Sequence, residues 1–318
     1  QTCALPISKK IKYLKYKYLI KRFKVYLKIY IKIFISMIGK IISNTIYNSI
    51  TNDINLLKTK NIIPALAIIL IGDNKASEIY VNMKNKKCNE LGIQSFIYKF
   101  NKKEKELNIL NKIKDLNYDN NIHGILVQLP IPKHLSTYNI LNEINTNKDV
   151  DGLNNTNISN IYLNRKPEFY PCTPLGCIEL LKYHNIDIQK KNAVVIGDSQ
   201  IVGKPLAMML NNLGATVTIC NINTKTLKQY TLIADIILTG TGVINLITKD
   251  MVNQDCIIID IGINKIKNND GKDIVVGDCD YKNLHKYVKL ITPVPGGVGP
   301  MTICMLMRQT VSSALKRI

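Results

Sequence analysis

From about residue 40 onward, helical stretches alternate with short apolar runs, and this alternation limits the folds that the chain can adopt. Three apolar runs in the first half, PALAIILIG, IQSFIYKF and IHGILVQLP, have the length of strands. The run ASEIYVNMKNKKCNELG, between the first two, predicts a helix that ends at Gly92. Its expected apolar side comprises Ile79, Met83, Cys88 and Leu91. Strands separated by helices predict an α/β fold with a mostly parallel sheet covered on both faces.

A second series of the same kind follows a region rich in Asn, Pro and turn residues. That region, Asp151 to Pro174, is typical of a linker between domains. The second series opens with NAVVIGDSQIVGKPLAMMLNNLG and continues through the strands ATVTIC, ADIILTG, DCIIIDIG and KLITP. A long helix, MTICMLMRQTVSSALKRI, closes the chain. The pattern therefore predicts two α/β units in succession.

The net charge of +20 is unevenly distributed along the chain. Residues 1–36 carry ten Lys and Arg and no acid, whereas residues 37–318 carry 33 basic and 23 acidic residues. Five lysines of this leader recur at helical spacing: Lys17, Lys21, Lys24, Lys28 and Lys32. A basic amphipathic helix suits a membrane surface or an organelle transit peptide. We expect residues 1–36 to be either such a targeting segment or a non-native appendage to a protein that starts at Met37.

Cysteine and histidine spacings argue against disulfides and metal binding. The eight cysteines form no CxxC pair, and the four histidines include no HExxH. Nothing in the chain marks secretion, so we expect reduced thiols in a cytoplasmic protein without a metal site. A mitochondrial or plastid location would follow if residues 1–36 were a targeting segment.

The turn GDSQIVG stands between the first strand and the first helix of the second series. Gly197 allows a tight turn, and Gly203 allows a phosphate to approach the helix N-terminus. The turn departs from GxGxxG because it is longer and because Ser199 replaces the second glycine. The next strand ends in CNINTK, without the carboxylate usual in NAD sites, and this favours NADP. Asp198 argues the other way, since a carboxylate repels a ribose 2′-phosphate.

A second candidate site lies in the first series. Tyr80 and Lys84 are one helical turn apart, and Gln128 lies at the carboxyl end of a strand, where α/β sheets place ligands. A buried amide left without partners costs about 1–3 kcal/mol. Either the backbone satisfies Gln128 and Lys84 is a surface residue packing on Tyr80, or Gln128 holds the Lys84 amine in a crevice.

Eight motifs occur in one order along the chain: YVNMKNKKCNELGI, HGILVQLPIP, NKDVDGL, PCTPLG, AVVIGDSQIVGKP, IIDIGIN, VVGDCD and ITPVPGGVGPMT. In this order they resemble the bifunctional methylenetetrahydrofolate dehydrogenase/methenyltetrahydrofolate cyclohydrolase family. The resemblance extends from about Met37 to the C terminus. The chain departs from the family at Asp198, where an Arg or an uncharged residue is common, and at NIN, where His-Ser or His-Arg is common.

The resemblance implies two α/β domains that face each other across a cleft, and a homodimer. Residues 37–173 would form a folate-binding catalytic domain, and residues 174–298 a Rossmann-like parallel-sheet domain that binds NADP. The last helix, 299–318, would pack back on the first domain.

The resemblance also implies residue roles. Lys84 would be the principal catalytic residue, positioned by Tyr80 and Gln128, and Asp151 would hold the pterin ring of folate. The implied substrate-binding residues are Tyr80, Val127, Leu129, Asp151, Pro293, Pro295, Gly296 and Gly297. The implied cofactor-binding residues are Gly197, Asp198, Ser199, Ile201, Val202, Gly203, Asn223, Thr224, Lys225 and Ile263.

These residue types suit the family's reaction, which oxidises 5,10-methylenetetrahydrofolate with NADP and hydrolyses the methenyl product to 10-formyltetrahydrofolate. Oxidation needs alignment of the cofactor more than it needs a base. Hydrolysis needs proton transfers, which Lys84 can perform once its pKa is lowered. Because a charged Lys84 would repel the cationic methenyl species, we interpret Gln128 as a hydrogen-bond partner that adds no counter-charge.

Two alternatives are compatible with the sequence. Asp198 is compatible with a monofunctional NAD-dependent dehydrogenase on the same fold. The charge of +20 is compatible with a non-catalytic basic protein on this scaffold that binds membranes or nucleic acid. In the primary interpretation no nucleic acid is bound, and any membrane contact comes from residues 1–36.

Overall fold

The structure, a computed structural model, describes residues 38–267 and 270–318. The predictions for residues 1–36 therefore lie outside the described residues. Within the described ranges, no helix is long and apolar enough to cross a bilayer.

The first part of the fold is built on a sheet of three parallel strands in the order β2-β1-β3. Every residue of its central strand, ALAIILI, is buried, as expected of a strand covered on both faces. The elements, in chain order, are α1 (Gly39–Thr59), β1 (Ala65–Ile71), α2 (Lys75–Leu91), β2 (Gln94–Phe100), α3 (Glu106–Tyr118), β3 (Gly124–Val127), α4 (Thr137–Glu143) and α5 (Asn155–Tyr162).

The second part is built on a parallel sheet of five strands in the order β10-β7-β6-β4-β5. Its elements, in chain order, are α6 (Cys172–Tyr183), β4 (Asn192–Ile196), α7 (Gly203–Asn212), β5 (Thr216–Cys220), α8 (Leu227–Thr231), β6 (Ile236–Thr239), a 3-10 turn (Lys249–Met251), β7 (Ile257–Asp260), β8 (Asn264–Lys267), β9 (Asp273–Val276), α9 (Tyr281–Leu284), β10 (Leu290–Ile291) and α10 (Val298–Leu315). The chain runs from β4 to β5 on one side and then crosses to β6 on the other. The carboxyl end of β4 is thus a topological switch point, where such sheets bind ligands. The predicted α/β class with parallel sheets is confirmed.

The segment Asp151 to Pro174 lies between the two parallel sheets along the chain, but it is not irregular, because it contains α5 and the start of α6. The Asn154 side chain caps α5 by accepting a hydrogen bond from the Asn157 nitrogen at 3.0 Å. Ile161 on this helix is buried, and its carbonyl accepts from Asn212 Nδ2 of α7 at 2.7 Å. Asn154 is therefore a helix cap, and a hydrogen bond from α7 anchors the end of the same helix.

The predicted apolar side of α2 is also partly wrong. Ile79 and Met83 are 52% and 49% exposed. The buried side consists of Ser77, Val81, Lys84 and Cys88. The helix therefore buries Lys84 and Ser77, while Ile79 and Met83 are exposed to solvent.

The last helix, α10, leaves the second sheet and packs against α1 and α6. The Cys304 thiol on α10 donates to the Ser43 carbonyl of α1 at 3.6 Å. The loop before α10 contacts the start of α1 through main chain, because a Cβ on Gly39 would lie 1.9 Å from the Gly297 oxygen. The two sheets are thus connected by a helix that also anchors one end of the candidate site.

Candidate active site

The structure brings Lys84 and Gln128 together at the carboxyl end of the three-stranded sheet. Lys84 Nζ donates to Gln128 Oε1 at 2.9 Å, and the lysine is 8% exposed. Gln128 Nε2 donates to the Leu129 carbonyl at 2.7 Å, while the Gln128 backbone nitrogen donates to the Ile69 carbonyl at 2.8 Å. The amide is therefore held with its oxygen toward the amine, and Lys84 is not a surface residue.

Burial lowers the pKa of the Lys84 amine from its ordinary value. The negative charge of Asp151 opposes this shift, with smaller contributions from Cys172 and Cys88. The hydrogen-bond partner of the amine is a neutral amide rather than a carboxylate, so it adds no counter-charge that would restore the ordinary pKa. A lysine in this setting can shed its proton far more readily than one in water.

Asp151 is half-buried and lies in a turn. The turn requires glycine at the next residue. Gly152 has a φ of +68°, and a Cβ there would lie 2.3 Å from the Tyr170 carbonyl carbon. Beneath the turn, the buried Cys172 thiol donates to the Val150 carbonyl at 3.3 Å. Burial and then the Asp151 charge raise the pKa of the Cys172 thiol well above its ordinary value, so it is a neutral donor.

The turn is braced from the other side by Asp149, which is 1% exposed. Its carboxylate accepts from the Asn154 nitrogen at 2.9 Å and from Asn157 Nδ2 at 2.8 Å. Burial raises the pKa of this carboxyl to about 7, although these hydrogen bonds oppose the shift. Of the two aspartates in NKDVDGL, one therefore supports the turn, and the other, Asp151, lies close enough to Lys84 for its charge to act on the amine.

Tyr80 is half-buried one turn before Lys84, and burial raises the pKa of its phenol. One turn earlier, Ser77 is 3% exposed, and its hydroxyl has no hydrogen-bond partner among residues 38–267 and 270–318. A buried hydroxyl needs a partner, which a bound ligand or water can supply. Sequence reasoning missed Ser77, although its three-residue spacing from Tyr80 places it on the same helical face.

The remaining residues predicted to bind substrate lie at the end of β3, just after it, and in the PVPGG loop before α10. Val127 is buried and Leu129 is half-buried. In the PVPGG loop, Pro293 and Gly296 are half-buried, Pro295 is exposed and Gly297 is buried. The Lys40 nitrogen donates to the Gly296 carbonyl at 3.2 Å, which fixes this loop on α1.

The turn GDSQIVG lies at the switch point after β4. Gly197 has a φ of +102°, and a Cβ on Gly203 would lie 1.8 Å from the Gly197 oxygen. Ser199 Oγ accepts from the Val202 and Gly203 nitrogens, each at 3.2 Å. The Ser199 side chain thus stabilises the turn that leads into α7. Ser199 and Ile201 are exposed and Val202 is half-buried in this turn, at the switch point where such sheets bind ligands.

The other residues predicted to bind the cofactor follow β5 and β7. Asn221 Nδ2 donates to Asp198 Oδ2 at 3.2 Å, so the carboxylate leans toward the end of β5. The Asn221 nitrogen donates to Thr224 Oγ1 at 2.9 Å, and the Asn223 nitrogen to Asn221 Oδ1 at 3.0 Å. Asn223 and Lys225 are exposed there, and Ile263, just after β7, is 52% exposed. Hydroxyl, amide and ammonium groups therefore lie together after the end of β5.

The motifs IIDIGIN and VVGDCD have a structural explanation that sequence reasoning missed. Asp260 and Asp278 are 2% and 0% exposed. The Asp260 carboxylate accepts from the Gly262, Asp278 and Cys279 nitrogens. The Asp278 carboxylate accepts from Thr239, Thr241, Gly242 and Asn264. Glycine is required beside each carboxylate, because a Cβ on Gly277 would lie 2.0 Å from Asp260 Oδ2.

Residues 38–267 and 270–318 contain no group of three or more His, Cys, Asp or Glu side chains that could hold a metal ion. The seven cysteines in these ranges are all buried free thiols.

Comparison with known proteins agrees with this geometry. Family models of the tetrahydrofolate dehydrogenase/cyclohydrolase catalytic domain and NAD(P)-binding domain match residues 37–151 and 171–318. The bifunctional protein FolD of Campylobacter jejuni (serotype O:23/36) is 48% identical over 262 residues, which cover 82% of this chain and 92% of that protein.

Solved structures are similar as well. The bifunctional FolD methylenetetrahydrofolate dehydrogenase/cyclohydrolase from Campylobacter jejuni has a TM-score of 0.86 at 46% identity, covering 89% of this chain and 99% of that one. The Trypanosoma brucei enzyme, complexed with NADP cofactor and inhibitor, has a TM-score of 0.84 at 30% identity, covering 88% of this chain and 96% of that one. The chain therefore belongs to the tetrahydrofolate dehydrogenase/cyclohydrolase family.

Proposed function

We propose that this protein oxidises 5,10-methylenetetrahydrofolate to 5,10-methenyltetrahydrofolate with NADP and then hydrolyses the product to 10-formyltetrahydrofolate. The observation that carries the proposal is the buried Lys84 amine, hydrogen-bonded at 2.9 Å to the neutral Gln128 amide. Family membership supplies the substrate class, and the pair supplies the hydrolytic chemistry. A monofunctional dehydrogenase would have no need of a buried lysine with a lowered pKa.

In the oxidation, the residues of this chain bind and align. Bound NADP supplies the acceptor for the hydride that leaves the methylene carbon. The residues that would line the cofactor site are Gly197, Asp198, Ser199, Ile201, Val202, Gly203, Asn223, Thr224, Lys225 and Ile263. On the folate side, the Asp151 carboxylate accepts hydrogen bonds from the pterin amino group and ring N–H, a charge-assisted pairing. Val127, Leu129 and the loop of Pro293, Pro295, Gly296 and Gly297 would shape the rest of the folate site.

In the hydrolysis, Lys84 acts as the base. The methenyl group is a resonance-stabilised cation, which lowers the pKa of a nearby ammonium further than burial does alone. The neutral amine then takes a proton from the attacking water and can return it to the nitrogen that leaves. Gln128 holds the amine without neutralising a charge, and Tyr80, one turn away, confines it. The Ser77 hydroxyl, which has no hydrogen-bond partner among residues 38–267 and 270–318, is available to the folate.

A coupled assay tests the proposed function. Purified protein is given 5,10-methylenetetrahydrofolate with NADP or with NAD at equal concentration, and methenyl and formyl products are followed separately. We expect both products to form, with faster turnover on NADP. Formation of methenyl product alone, fastest with NAD, would instead identify the monofunctional NAD-dependent alternative.

Asp198 is expected to weaken NADP binding in this protein. Its carboxylate leans toward the end of β5, where the ribose would lie. Removing one like charge from an exposed phosphate site gains about 1 kcal/mol, so Asp198→Ser should lower the KM for NADP by about fivefold. The KM for NAD should stay the same or rise. Asp255→Ser makes the same charge change on an exposed residue at the other end of this sheet and should leave both constants unchanged. An unaltered KM for NADP in Asp198→Ser would contradict the expectation.

We also propose the division into a catalytic domain, residues 37–173 with α10, and an NADP-binding domain, residues 174–298. The two separate sheets and the packing of α10 on α1 and α6 support it. The family model of the second domain includes α10, so this helix belongs to the second domain by sequence and packs on the first domain in the fold.

We further propose a cytoplasmic homodimer that binds no nucleic acid. The buried thiols suit a reducing compartment. The open sheet edges at β2 and β5 expose Phe96 and Ile219, each 41% exposed, which suits association of two copies. Sedimentation of the full chain tests the dimer. Binding of the protein to DNA and to anionic vesicles tests the second part. If such binding is lost when residues 1–36 are deleted, it belongs to those residues alone.

A further inference from the structure

The side chain of Gln309, on the last helix, ties together two segments next to Asp151. Gln309 is 6% exposed. Its Nε2 donates to the Val150 carbonyl at 2.8 Å and to the Tyr170 carbonyl at 2.9 Å. Its Oε1 accepts from the Tyr170 nitrogen at 2.9 Å. Both donors and the acceptor are thus used on main chain that lies 159 and 139 residues away in sequence.

These contacts bear directly on the orientation of Asp151. The Val150 carbonyl and the Asp151 nitrogen belong to one planar peptide group, so holding the carbonyl holds the plane from which Asp151 departs. On the other side, Gly152 lies so close to Tyr170 that a Cβ would be 2.3 Å from its carbonyl carbon. Gln309 therefore holds the residue before Asp151 directly, and the residue after Asp151 packs closely against Tyr170, which Gln309 also holds.

The same helix begins at the PVPGG loop, which is fixed on α1 through the Gly296 carbonyl. One helix of 18 residues therefore positions both the loop proposed to line the folate site and the Gln309 side chain next to Asp151. Gln309 lies outside every motif that carries the family resemblance, and nothing in its local sequence indicates a role.

We propose that Gln309 is a positioning residue that orients Asp151 toward the pterin, so that α10 contributes to folate affinity without touching folate. The proposal rests on the role of Asp151 proposed above. A purely structural amide would change stability when replaced, but it would not change affinity for folate selectively.

The test replaces Gln309 with methionine, which has a similar volume and no donor. We expect the Kd for tetrahydrofolate, measured by titration calorimetry, to rise about tenfold, equivalent to about 1.4 kcal/mol. The Kd for NADP should stay unchanged. Ser313→Ala is the matched control, because Ser313 is one turn further along α10, is 4% exposed and donates to the Asn147 carbonyl of the same segment at 3.1 Å. The control should leave the tetrahydrofolate Kd unchanged.

A double-mutant cycle with Asp151→Asn separates the two proposals. If Gln309 acts through Asp151, Gln309→Met should weaken tetrahydrofolate binding in the natural background and add little in the Asp151→Asn background. Equal weakening in both backgrounds, or an effect no larger than that of Ser313→Ala, would overturn the role of Gln309. An unchanged Kd in Asp151→Asn alone would overturn the role of Asp151 itself. Should the methionine variant not fold, Gln309→Asn keeps the amide but shortens its reach, and the same Kd comparison applies.

Discussion

Replacing Lys84 with methionine should lower cyclohydrolase turnover by about a thousandfold, the usual contribution of a positioned general base. The variant should still fold, because methionine fills a similar volume and removes an amine whose burial disfavours its charge. NADP binding should be unchanged, since the residues proposed to bind the cofactor follow strands of the other sheet. Hydrolysis of supplied methenyltetrahydrofolate, followed by its absorbance, measures the effect.

The control for this variant is Lys86→Met, which removes a lysine from the exposed side of the same helix. It should retain full activity. Normal methenyl hydrolysis by Lys84→Met would contradict the catalytic assignment, whereas loss of folding in both variants would point to the helix rather than to the amine.

The rate of hydrolysis should depend on pH, and replacing Gln128 with glutamate should change that dependence. The neutral amine is the active form, so hydrolysis should rise with pH through the lowered pKa of Lys84, at lower pH than an ordinary lysine would require. Gln128→Glu is nearly isosteric and places a carboxylate where the amide oxygen now accepts from Nζ. The carboxylate should raise the pKa of Lys84, shift the rise in rate to higher pH and slow hydrolysis at neutral pH. An unshifted profile would argue that the amine acts in its charged form.

Replacing Gly203 with alanine should weaken NADP binding by about a hundredfold, because a displacement of about 1 Å at a binding turn can cost that much. An added Cβ would lie 1.8 Å from the Gly197 oxygen and 2.8 Å from the Gly197 carbonyl carbon, so the backbone of the turn must move. Overpacking of this kind also lowers the free energy of unfolding by about 1–3 kcal/mol. Titration with NADP and thermal unfolding measure the two effects.

Gly299→Ala is the matched control, because nothing lies within 4 Å of a Cβ at that position on α10. That variant should bind NADP normally. In Gly203→Ala the tetrahydrofolate Kd should also stay normal, since the damage is confined to the second sheet. Undiminished NADP affinity in Gly203→Ala would remove the turn from the cofactor site.

The alternation of apolar runs and helices was enough to predict the parallel sheets, because strand and helix periodicities are local properties of a chain. The same local reasoning missed the helix α5 within Asp151 to Pro174, where Asn154 caps the helix and Asn212 of α7 donates to the Ile161 carbonyl. It failed again on α2, where the buried side carries Lys84 and Ser77 and the exposed side carries Ile79. A polar residue turned inward at a functional site opposes the hydrophobic pattern on which such predictions depend.

The sequence by itself determined the α/β architecture, the glycine-dependent turn at Gly197 and the candidate pair of Lys84 and Gln128, since each follows from short patterns and motif order. Only the tertiary structure decided that the Gln128 oxygen faces the amine and that burial lowers the pKa of that amine. It alone also joined Gln309 to Val150, across 159 residues of chain. Such contacts depend on how the elements pack together, and packing brings together groups whose sequence separation carries no local signal.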